Sequence, residues 1–382
     1  MQRRLFNKDH ELFRKMIADY LEREVVPIYP EWESAHSMPR KFFRELGDLG
    51  VLGMNMPVEY GGGGQEDYTY NVVLQEEAAR LSVSLGSLRT QMDIILPYFR
   101  RYATPEQKER WFRALSSGEL LTAIALTEPD TGSDLAGVRT VAVRDGDEYT
   151  LNGVKTFITG GPLADLVVVL ARTSTNLEDR RQGLTLLVVE DGMPGFVKGR
   201  KLEKLGLAVQ ETNELFFDDV RVPVINRLGN EGAAFSYLRH NLPQERLAVA
   251  VGAIAQAQAA MEMTCEYVKN RKVFGKPVSH FQNTKFELAA MAAELEAGQA
   301  MLDQAIAEHV TTYLSPVDAA KVKLFCTELQ GRVVDRCLQL FGGYGYINEY
   351  RIARLYADAR VTRIYGGTSE VMKSIISKSL GL

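Results

Sequence analysis

The pattern of apolar positions changes its period twice along this 382-residue chain. Up to about residue 118, apolar residues recur at helical spacing, as in Leu12, Phe13 and Ile17, with charged residues between them. From about residue 120 to 223, short β-rich runs replace them, separated by Asp-Gly turn pairs. Closely spaced strands without intervening helices favour an antiparallel sheet or barrel.

After Glu231 the helical pattern returns, in long pieces at roughly 243–271, 282–311, 316–341 and 368–380. The first piece begins at Leu242-Pro243-Gln244-Glu245-Arg246, so we expect the Glu245 carboxylate at the start of a helix. The pattern therefore predicts an α+β protein. Its expected parts are an N-terminal α-helical domain over residues 1–118, a central β domain over 119–228 and a C-terminal helical domain over 229–382.

The composition points away from nucleic-acid and metal binding. The net charge is −4 and basic residues are scattered, so we expect no nucleic acid and no anionic membrane as partner. Cys265, Cys326 and Cys337 lack C-x-x-C spacing, and the five histidines are dispersed. We predict no metal site, and cysteines that are buried in a reducing compartment.

One apolar stretch, residues 247–263, has the length of a short membrane segment but not its composition. It is rich in alanine and interrupted by Gln256, Gln258 and Glu262, which suits close helix packing rather than a membrane span. The N-terminal residues run directly into a charged amphipathic pattern, without the apolar core of a signal peptide. We expect no membrane span and a cytoplasmic location.

Three polar segments could carry chemistry, and each also has an ordinary structural explanation. The loop at residues 127–134 is a plain strand-end loop, or its hydroxyls and backbone donors hold an anionic or heteroaromatic ligand. Arg271 suits the C-terminal dipole of a helix, or meets a phosphate. A glutamate such as Glu245 in a first helical turn is usually solvated. The residues alone therefore leave the ligand open.

Taken together, six segments resemble the acyl-CoA dehydrogenase family in order and spacing. The likeness runs from about residue 5 to 380, and it is nearest to the long-chain branch of that family through residues 242–247 and the glycine pair at 366 and 367. The segments are Ala125-Leu126-Thr127-Glu128-Pro129, Gly132-Ser133-Asp134, Leu151-Asn152-Gly153-x-Lys155, Arg271-x-x-Phe274-Gly275, Gln339-x-Phe341-Gly342-Gly343 and Tyr365-Gly366-Gly367-Thr368-Ser369-Glu370.

The resemblance implies an N-terminal helical domain, a central β domain and a C-terminal four-helix bundle, assembled as a homo-oligomer, usually a tetramer. It also implies FAD, bound between the β domain and the C-terminal helices and partly by a neighbouring subunit. The implied cofactor-binding residues are Leu126, Thr127, Gly132 and Ser133 at the isoalloxazine and pyrophosphate, Phe157, Ile158 and Thr159 beside the flavin ring, Arg271, Gln282, Gln339 and Gly343 from a partner subunit, and Phe274, Gly342, Thr368 and Glu370.

The implied reaction is α,β-dehydrogenation of an acyl-CoA to the trans-2-enoyl thioester. A base removes the Cα proton while Cβ delivers hydride to flavin N5. Many family members carry the catalytic glutamate where this chain has Gly366, and the long-chain branch carries it where Glu245 stands. The resemblance therefore assigns Glu245 as base and the Gly366 amide as a donor to the thioester oxygen. Implied substrate-binding residues are Ser133, Arg246, Gly366 and Gly367.

Several alternatives stay open at this point. Glycine at 366 and 367 leaves room near Cα, which favours a medium, long or branched acyl chain. The carrier is expected to be coenzyme A, with an acyl carrier protein as the alternative. The expected electron acceptor is an electron-transferring flavoprotein; a flavin oxidase or monooxygenase of the same fold, or a non-catalytic helical scaffold, are the competing functions.

Overall fold

The computed structural model describes residues 3–174 and 179–382, and its N-terminal part is helical. The sequence Thr104-Pro105-Glu106-Gln107 predicts a capped helix start, and the structure confirms it. Thr104 Oγ1 accepts a hydrogen bond from the Gln107 N–H at 3.2 Å, and Gln107 Oε1 accepts one from the Thr104 N–H at 3.0 Å. The helices are α1 Lys8–Tyr20, α2 Tyr29–Ala35, α3 Arg40–Asp48, α4 Thr69–Arg80, α5 Gly86–Arg89, α6 Leu96–Tyr102 and α7 Pro105–Ser117.

A mixed sheet follows in the middle of the chain. Its strand order is β6-β7-β3-β2-β4-β5-β8, with β1 beside β4. Most neighbours are antiparallel, as expected, but β1 and β2 each pair with β4 in parallel. The β2–β3 hairpin supplies the long connection that the parallel β1–β4 pair requires. The strands are β1 Thr122–Ala125, β2 Val141–Asp145, β3 Glu148–Thr159, β4 Leu166–Arg172, β5 Leu184–Glu190, β6 Phe196–Lys201, β7 Thr212–Pro223 and β8 Arg227–Leu228.

Two features of this sheet were not expected from the sequence. The sequence pattern predicts two short strands, Tyr149 to Leu151 and Lys155 to Thr159, but residues 148–159 form one strand, β3. The register of β3 against β7 shifts between Leu151 and Gly153 and again between Lys155 and Ile158. These bulges interrupt the alternation of buried and exposed positions, which is the pattern that identifies a strand in a sequence. Strand β6 was missed because four of its six residues are lysine, arginine or glycine.

The first C-terminal helix starts earlier than the sequence predicted. Helix α8 runs Ala234–Asn270, so the expectation that Pro243 stands at the helix start is wrong. Proline removes one backbone donor and ordinarily disrupts a helix. Here Leu238 and Leu247, on either side of it, are 1% and 0% exposed, and the packing of this apolar face sustains the helix. The glutamate two residues after the proline therefore lies inside a long helix.

The remaining helices pack around α10. Helix α10 contacts α8, α9, α11 and α12, and α8 also packs against α4 of the N-terminal part. Buried alanines at positions such as 250, 253 and 257 let α8 approach its neighbours closely. Among the described helices, none is both long and apolar enough to cross a bilayer. A two-stranded hairpin, β9 Lys272–Val273 and β10 Lys276–Pro277, precedes α9 Gln282–Thr312, α10 Pro316–Phe341, α11 Arg351–Ala359 and α12 Ser369–Ser379.

A buried ion pair fixes the loop that follows β1. Lys155 Nζ donates to Glu128 Oε1 at 2.8 Å and to the Leu126 carbonyl at 3.0 Å. The Glu128 carboxylate also accepts the N–H groups of Arg139 and Thr140, at 2.7 and 2.8 Å. Burial lowers the pKa of Lys155 to about 8, against the opposing effect of Glu128. Burial alone would raise the pKa of Glu128, but Lys155 and these donors bring that pKa below its usual value.

Removing one member of this pair tests its contribution to stability. We expect Lys155→Met to lower the free energy of unfolding by about 3 kcal/mol, because it leaves the Glu128 carboxylate buried without a counter-charge. Adding Glu128→Gln should recover part of the loss. Urea denaturation measures both effects, with Lys321→Met as the exposed-lysine control. Equal stability of Lys155→Met and Lys321→Met would contradict the interpretation.

Candidate active site

Glu245 lies in the fourth turn of α8 and faces the turn formed by Gly366 and Gly367. A Cβ atom added to Gly366 would lie 3.7 Å from Glu245 Oε1 and 3.6 Å from Val249 Cγ2. The two glycines have φ angles of 63° and 91°, which strain any residue with a side chain. The helix thus brings its carboxylate to the place where a side chain at position 366 would start.

Three cations surround this carboxylate. Burial raises the pKa of Glu245, and the charges of Arg246, Arg89 and Lys323 oppose that rise. A carboxylate with a raised pKa is a stronger proton acceptor than a solvated glutamate. The site therefore has a group suited to remove a weakly acidic proton.

Two of these cations hold the glycine turn. Lys323 Nζ donates to the Gly367 carbonyl at 2.6 Å, and Arg246 Nε donates to the Gly366 carbonyl at 3.4 Å. Both side chains are buried, and Lys323 is 0% exposed. Burial and, to a smaller extent, the nearby Arg246 lower the pKa of Lys323 to about 8, against the opposing charge of Glu245. The turn is thus fixed from two helices, α8 and α10.

A small cavity of about 50 Å³ lies beside this turn, between α4, α5 and α8. Tyr365, the residue before the turn, lines it, and Arg89 Nη2 donates to the Tyr365 hydroxyl at 3.3 Å. The rest of its lining is mostly small and apolar, with a few amides. The lining residues are Gln75, Ala78, Ala79, Val83, Ser84, Leu85, Gly86, Arg89, Leu207, Gln210, Val249, Gly252, Ala253, Gln256, Thr362 and Tyr365.

The end of β3 connects the β domain to this cavity. Thr159 Oγ1 accepts a hydrogen bond from Gln210 Nε2 at 3.3 Å, and Gln210 lines the cavity. Phe157, in the second bulge of β3, has a φ of 59° and is 67% exposed. Ile158 is 2% exposed and packs in the β core, so only its backbone is available to a ligand. The exposed Phe157 ring at the end of β3 offers a flat surface that fits a heteroaromatic ligand.

The loop after β1 borders the same strand. The Thr127 carbonyl accepts the Thr156 N–H at 3.0 Å, which places this loop against β3. Leu126 and Thr127 are partly exposed, and Gly132 and Ser133 are exposed. A Cβ on Gly132 would meet no atom within 4 Å. These residues, expected to hold the flavin, thus have accessible surface on the β domain.

A second cleft contains most of the remaining expected cofactor residues. Arg271, Gln339, Gly342 and Gly343 line a cleft of about 510 Å³ at the end of α10. The Arg271 guanidinium lies 5.2 Å from the ring centroid of Tyr344, and a Cβ on either glycine would meet no atom within 4 Å. None of the residues lining this cleft also lines the cavity beside the glycine turn.

The other expected cofactor positions lie in the β9–β10 hairpin turn and at the starts of α9 and α12. Phe274 is 96% exposed, and Gln282 is exposed at the start of α9. Thr368 caps α12, its hydroxyl accepting the Val371 N–H at 3.3 Å. Glu370 follows in the first turn of α12, where its own backbone N–H and the Thr368 hydroxyl lower its pKa. Across residues 3–174 and 179–382, no group of three His, Cys, Asp or Glu side chains is placed to hold a metal ion.

Sequence reasoning missed Arg89, Lys323 and Gln210. A signal for Lys323 was present, because it falls on the apolar face of α10, between Ala319 and Cys326 at helical spacing. Arg89 and Gln210 have no comparable signal, since one lies in a short helix and the other in a loop.

Family models match almost the entire chain. The acyl-CoA dehydrogenase N-terminal domain matches residues 7–119, the middle domain matches residues 123–220, and the C-terminal domain matches residues 232–381.

Relatives of similar length support the same grouping. The chain is 42% identical over 378 residues to the long-chain specific acyl-CoA dehydrogenase, mitochondrial, of Sus scrofa, covering 99% of this chain and 88% of that protein. It is 45% identical to the crystal structure of acyl-CoA dehydrogenase from Geobacillus kaustophilus, with a TM-score of 0.98 and 100% of both chains covered. A glutaryl-CoA dehydrogenase from Mycobacterium smegmatis in complex with FADH2 is 30% identical, with a TM-score of 0.90 and 99% and 95% coverage of the two chains.

Proposed function

The chain belongs to the acyl-CoA dehydrogenase family, FAD-dependent enzymes that dehydrogenate acyl-CoA thioesters, and we propose that in this enzyme Glu245 removes the Cα proton. The observation that carries the proposal is the 3.7 Å separation between Glu245 Oε1 and a Cβ added at Gly366. A carboxylate on helix α8 and one on a side chain at position 366 would therefore reach the same part of the site. The helix therefore supplies the base that the glycine turn lacks.

The turn has a second role in the proposal. Loss of the Cα proton places negative charge on the thioester oxygen, and a fixed donor lowers the energy of that charge. We propose the Gly366 amide as this donor. Its geometry is supported by the hydrogen bonds from Lys323 and Arg246 to the two carbonyls of the turn. Arg246 thus acts through the turn, and the cationic surroundings favour an enolate-like charge.

The residues at the end of β1 and in β3 fit a flavin. When bound, FAD supplies the hydride acceptor for Cβ at its N5 atom. The exposed Phe157 ring, the backbone around Ile158 and the loop at residues 126–133 would hold the isoalloxazine and pyrophosphate. Thr368 and Glu370 would complete the site from α12.

A partner subunit would complete the cofactor site. Arg271, Gln339, Gly342 and Gly343 form their own cleft, away from Glu245, which supports their contact with FAD bound mainly by another copy of the chain. Strongly exposed aromatic side chains on the C-terminal part, Phe274 at 96% and Tyr346 at 89%, also favour a homo-oligomer. We propose a tetramer.

The finer assignments stay predictions. They are coenzyme A as carrier rather than an acyl carrier protein, an electron-transferring flavoprotein as acceptor, a cytoplasmic location, and a medium, long or branched acyl chain. The domain boundaries at 118/119 and 228/229 are predictions of the same kind. Family membership argues against the non-catalytic scaffold.

Anaerobic titration with saturated acyl-CoAs of graded length tests the proposed reaction. We expect substrate to bleach the oxidised-flavin absorption of the wild type, and Glu245→Gln to slow bleaching by at least about 1,000-fold, because the amide cannot accept the proton. Glu262→Gln, an exposed glutamate on the same helix, is the matched control. Fast bleaching by Glu245→Gln would rule out Glu245 as base.

The same experiment distinguishes the alternatives. Slow reoxidation of the reduced enzyme in air supports a dehydrogenase, whereas rapid reoxidation with peroxide formation supports an oxidase. If flavin is present and no acyl-CoA bleaches it, acyl carrier protein thioesters become the substrates to test.

The pH dependence of flavin reduction tests the charges around Glu245. Reduction requires the ionised carboxylate, so its rate should fall as the pH drops through the pKa of Glu245, which burial raises above the ordinary 4.5. Lys323→Met removes a cation that lowers this pKa, so the midpoint should move to higher pH. Lys321→Met, on the exposed side of α10, should leave it unchanged. An unchanged midpoint in a folded, flavin-containing Lys323→Met enzyme would contradict this account.

A further inference from the structure

Helix α8 contains its proline two residues before Glu245. Pro243 has no backbone N–H, and its ring crowds the carbonyl four residues earlier, so helical hydrogen bonds fix the surrounding turn less well. In an α-helix the N–H groups of residues 244–246 donate to the carbonyls of residues 240–242, on the other side of the proline. The proposed base therefore lies in the turn that the proline loosens, although proton transfer requires a fixed carboxylate.

The side chain of Gln244, the residue before Glu245, is bound by two other parts of the chain. Gln244 Nε2 donates to the Asp93 carbonyl, in the segment between α5 and α6, at 2.8 Å. Gln244 Oε1 lies 3.4 Å from Nε2 of His309, on α9. Both polar atoms of the amide are thus engaged, and this side chain connects α8 to two other elements.

His309 is arranged to donate to Gln244. Its Nδ1 atom accepts the Leu314 N–H at 3.4 Å, which leaves the proton of the neutral ring on Nε2, facing the Gln244 oxygen. Burial, with a smaller effect from the charge of His240, lowers the pKa of His309 to about 4. The ring is therefore neutral around pH 7 and keeps this arrangement.

The end of α9 also contacts the turn before the proline. The hydroxyl of Tyr313, directly after α9, donates to the His240 carbonyl at 2.9 Å. In a regular helix this carbonyl accepts the Gln244 N–H, and its second lone pair can accept such a donor. The Tyr313 ring lies 4.7 Å from the centroids of both the His309 and the His240 rings. One end of α9 thus contacts α8 on both sides of Pro243.

These three side chains, Gln244, His309 and Tyr313, are uncharged at neutral pH, since burial raises the pKa of Tyr313 to about 12. The charges that shift the pKa of Glu245 come instead from the three cations of the site. The contacts of Gln244 therefore act on Glu245 through the position of the backbone rather than through charge.

We propose that Gln244, held by His309, is a positioning residue for Glu245. Together with Tyr313, these contacts fix the turn of α8 after Pro243, so that the carboxylate keeps its short distance from the glycine turn. A misplacement of about 1 Å at a reacting group can lower a rate about 100-fold. The proposal rests on the assignment of Glu245 as base in the function proposed above.

The rate of flavin reduction tests the proposal in the purified, flavin-containing enzyme, with the saturated acyl-CoA that bleaches the wild type fastest. Gln244→Met keeps the side-chain length and removes both hydrogen bonds, and it should slow reduction at saturating substrate about 100-fold. His309→Phe keeps the ring packing and removes the donor, and it should have a smaller effect because the bond to the Asp93 carbonyl remains. Gln304→Met, exposed on α9, is the matched control and should reduce at the wild-type rate.

Three further readouts separate positioning from a general loss of structure. In Glu245→Gln enzyme, calorimetry should give the same Kd for that acyl-CoA with and without Gln244→Met, so that the effect falls on the rate and not on binding. The pH midpoint of reduction in Gln244→Met should stay at the wild-type value, because no charge near Glu245 changes. His309→Gln retains a side-chain N–H donor and should recover most of the rate that His309→Phe loses.

The double variant tests whether the two residues act together. Gln244→Met combined with His309→Phe should be no slower than Gln244→Met alone, because both substitutions remove the same link. Independent losses that multiply would contradict a shared role.

Different failures have different meanings. Wild-type rates in both single variants, a weaker Kd that accounts for the loss, or a shifted pH midpoint would each overturn the proposal. Loss of flavin from both variants would show that Gln244 and His309 support the fold rather than the base, and would overturn it as well. If no acyl-CoA bleaches the wild-type flavin, or if Glu245→Gln bleaches fast, the proposed function or its base fails first.

Discussion

The hydrogen bond from the buried Lys323 ammonium to the Gly367 carbonyl is the interaction on which the candidate site depends. Two successive glycines in the left-handed region have a large conformational entropy in the unfolded chain, and a strong acceptor contact is needed to hold them in one shape. The same ammonium lies within electrostatic reach of Glu245. One side chain therefore fixes the backbone beside the base and influences the charge of the base.

A second buried lysine, Lys155, shows by contrast what is particular to Lys323. Lys155 also donates to a loop carbonyl, that of Leu126, and burial lowers the pKa of both ammonium groups to about 8. Lys155, however, has Glu128 as a direct carboxylate partner, whereas within the described residues Lys323 forms no ion pair. The charge of Lys155 is neutralised by Glu128, and the pair holds the loop after β1. The charge of Lys323 is left to act on Glu245.

Helix α8 contributes to both the core and the candidate site, because one of its sides packs in the core and the other faces the site. Its alanine-rich side packs against α9 and α10 in the core. The other side presents Val249, Gly252 and Ala253 to the cavity shared with α4 and α5, and Glu245 to the glycine turn. Small residues serve both purposes, since they allow close helix packing on one side and leave volume for a ligand on the other. The base is thus carried by one of the best-buried elements of the molecule, which restricts its motion relative to the turn.

The sequence by itself determined the order of helices, strands and helices, the capping box at Thr104 and the family, because periodicity, capping and motif spacing are local properties of the chain. It also singled out Glu245 and the glycine pair. It misjudged the start of α8, since the burial that carries the helix through Pro243 comes from other elements. It could not find the approach of Arg89 to Tyr365, 276 positions apart, or of Lys323 to Gly367, 44 apart. Those contacts, and with them the charge balance of the cavity, exist only once distant helices pack together, so only the tertiary structure decided them.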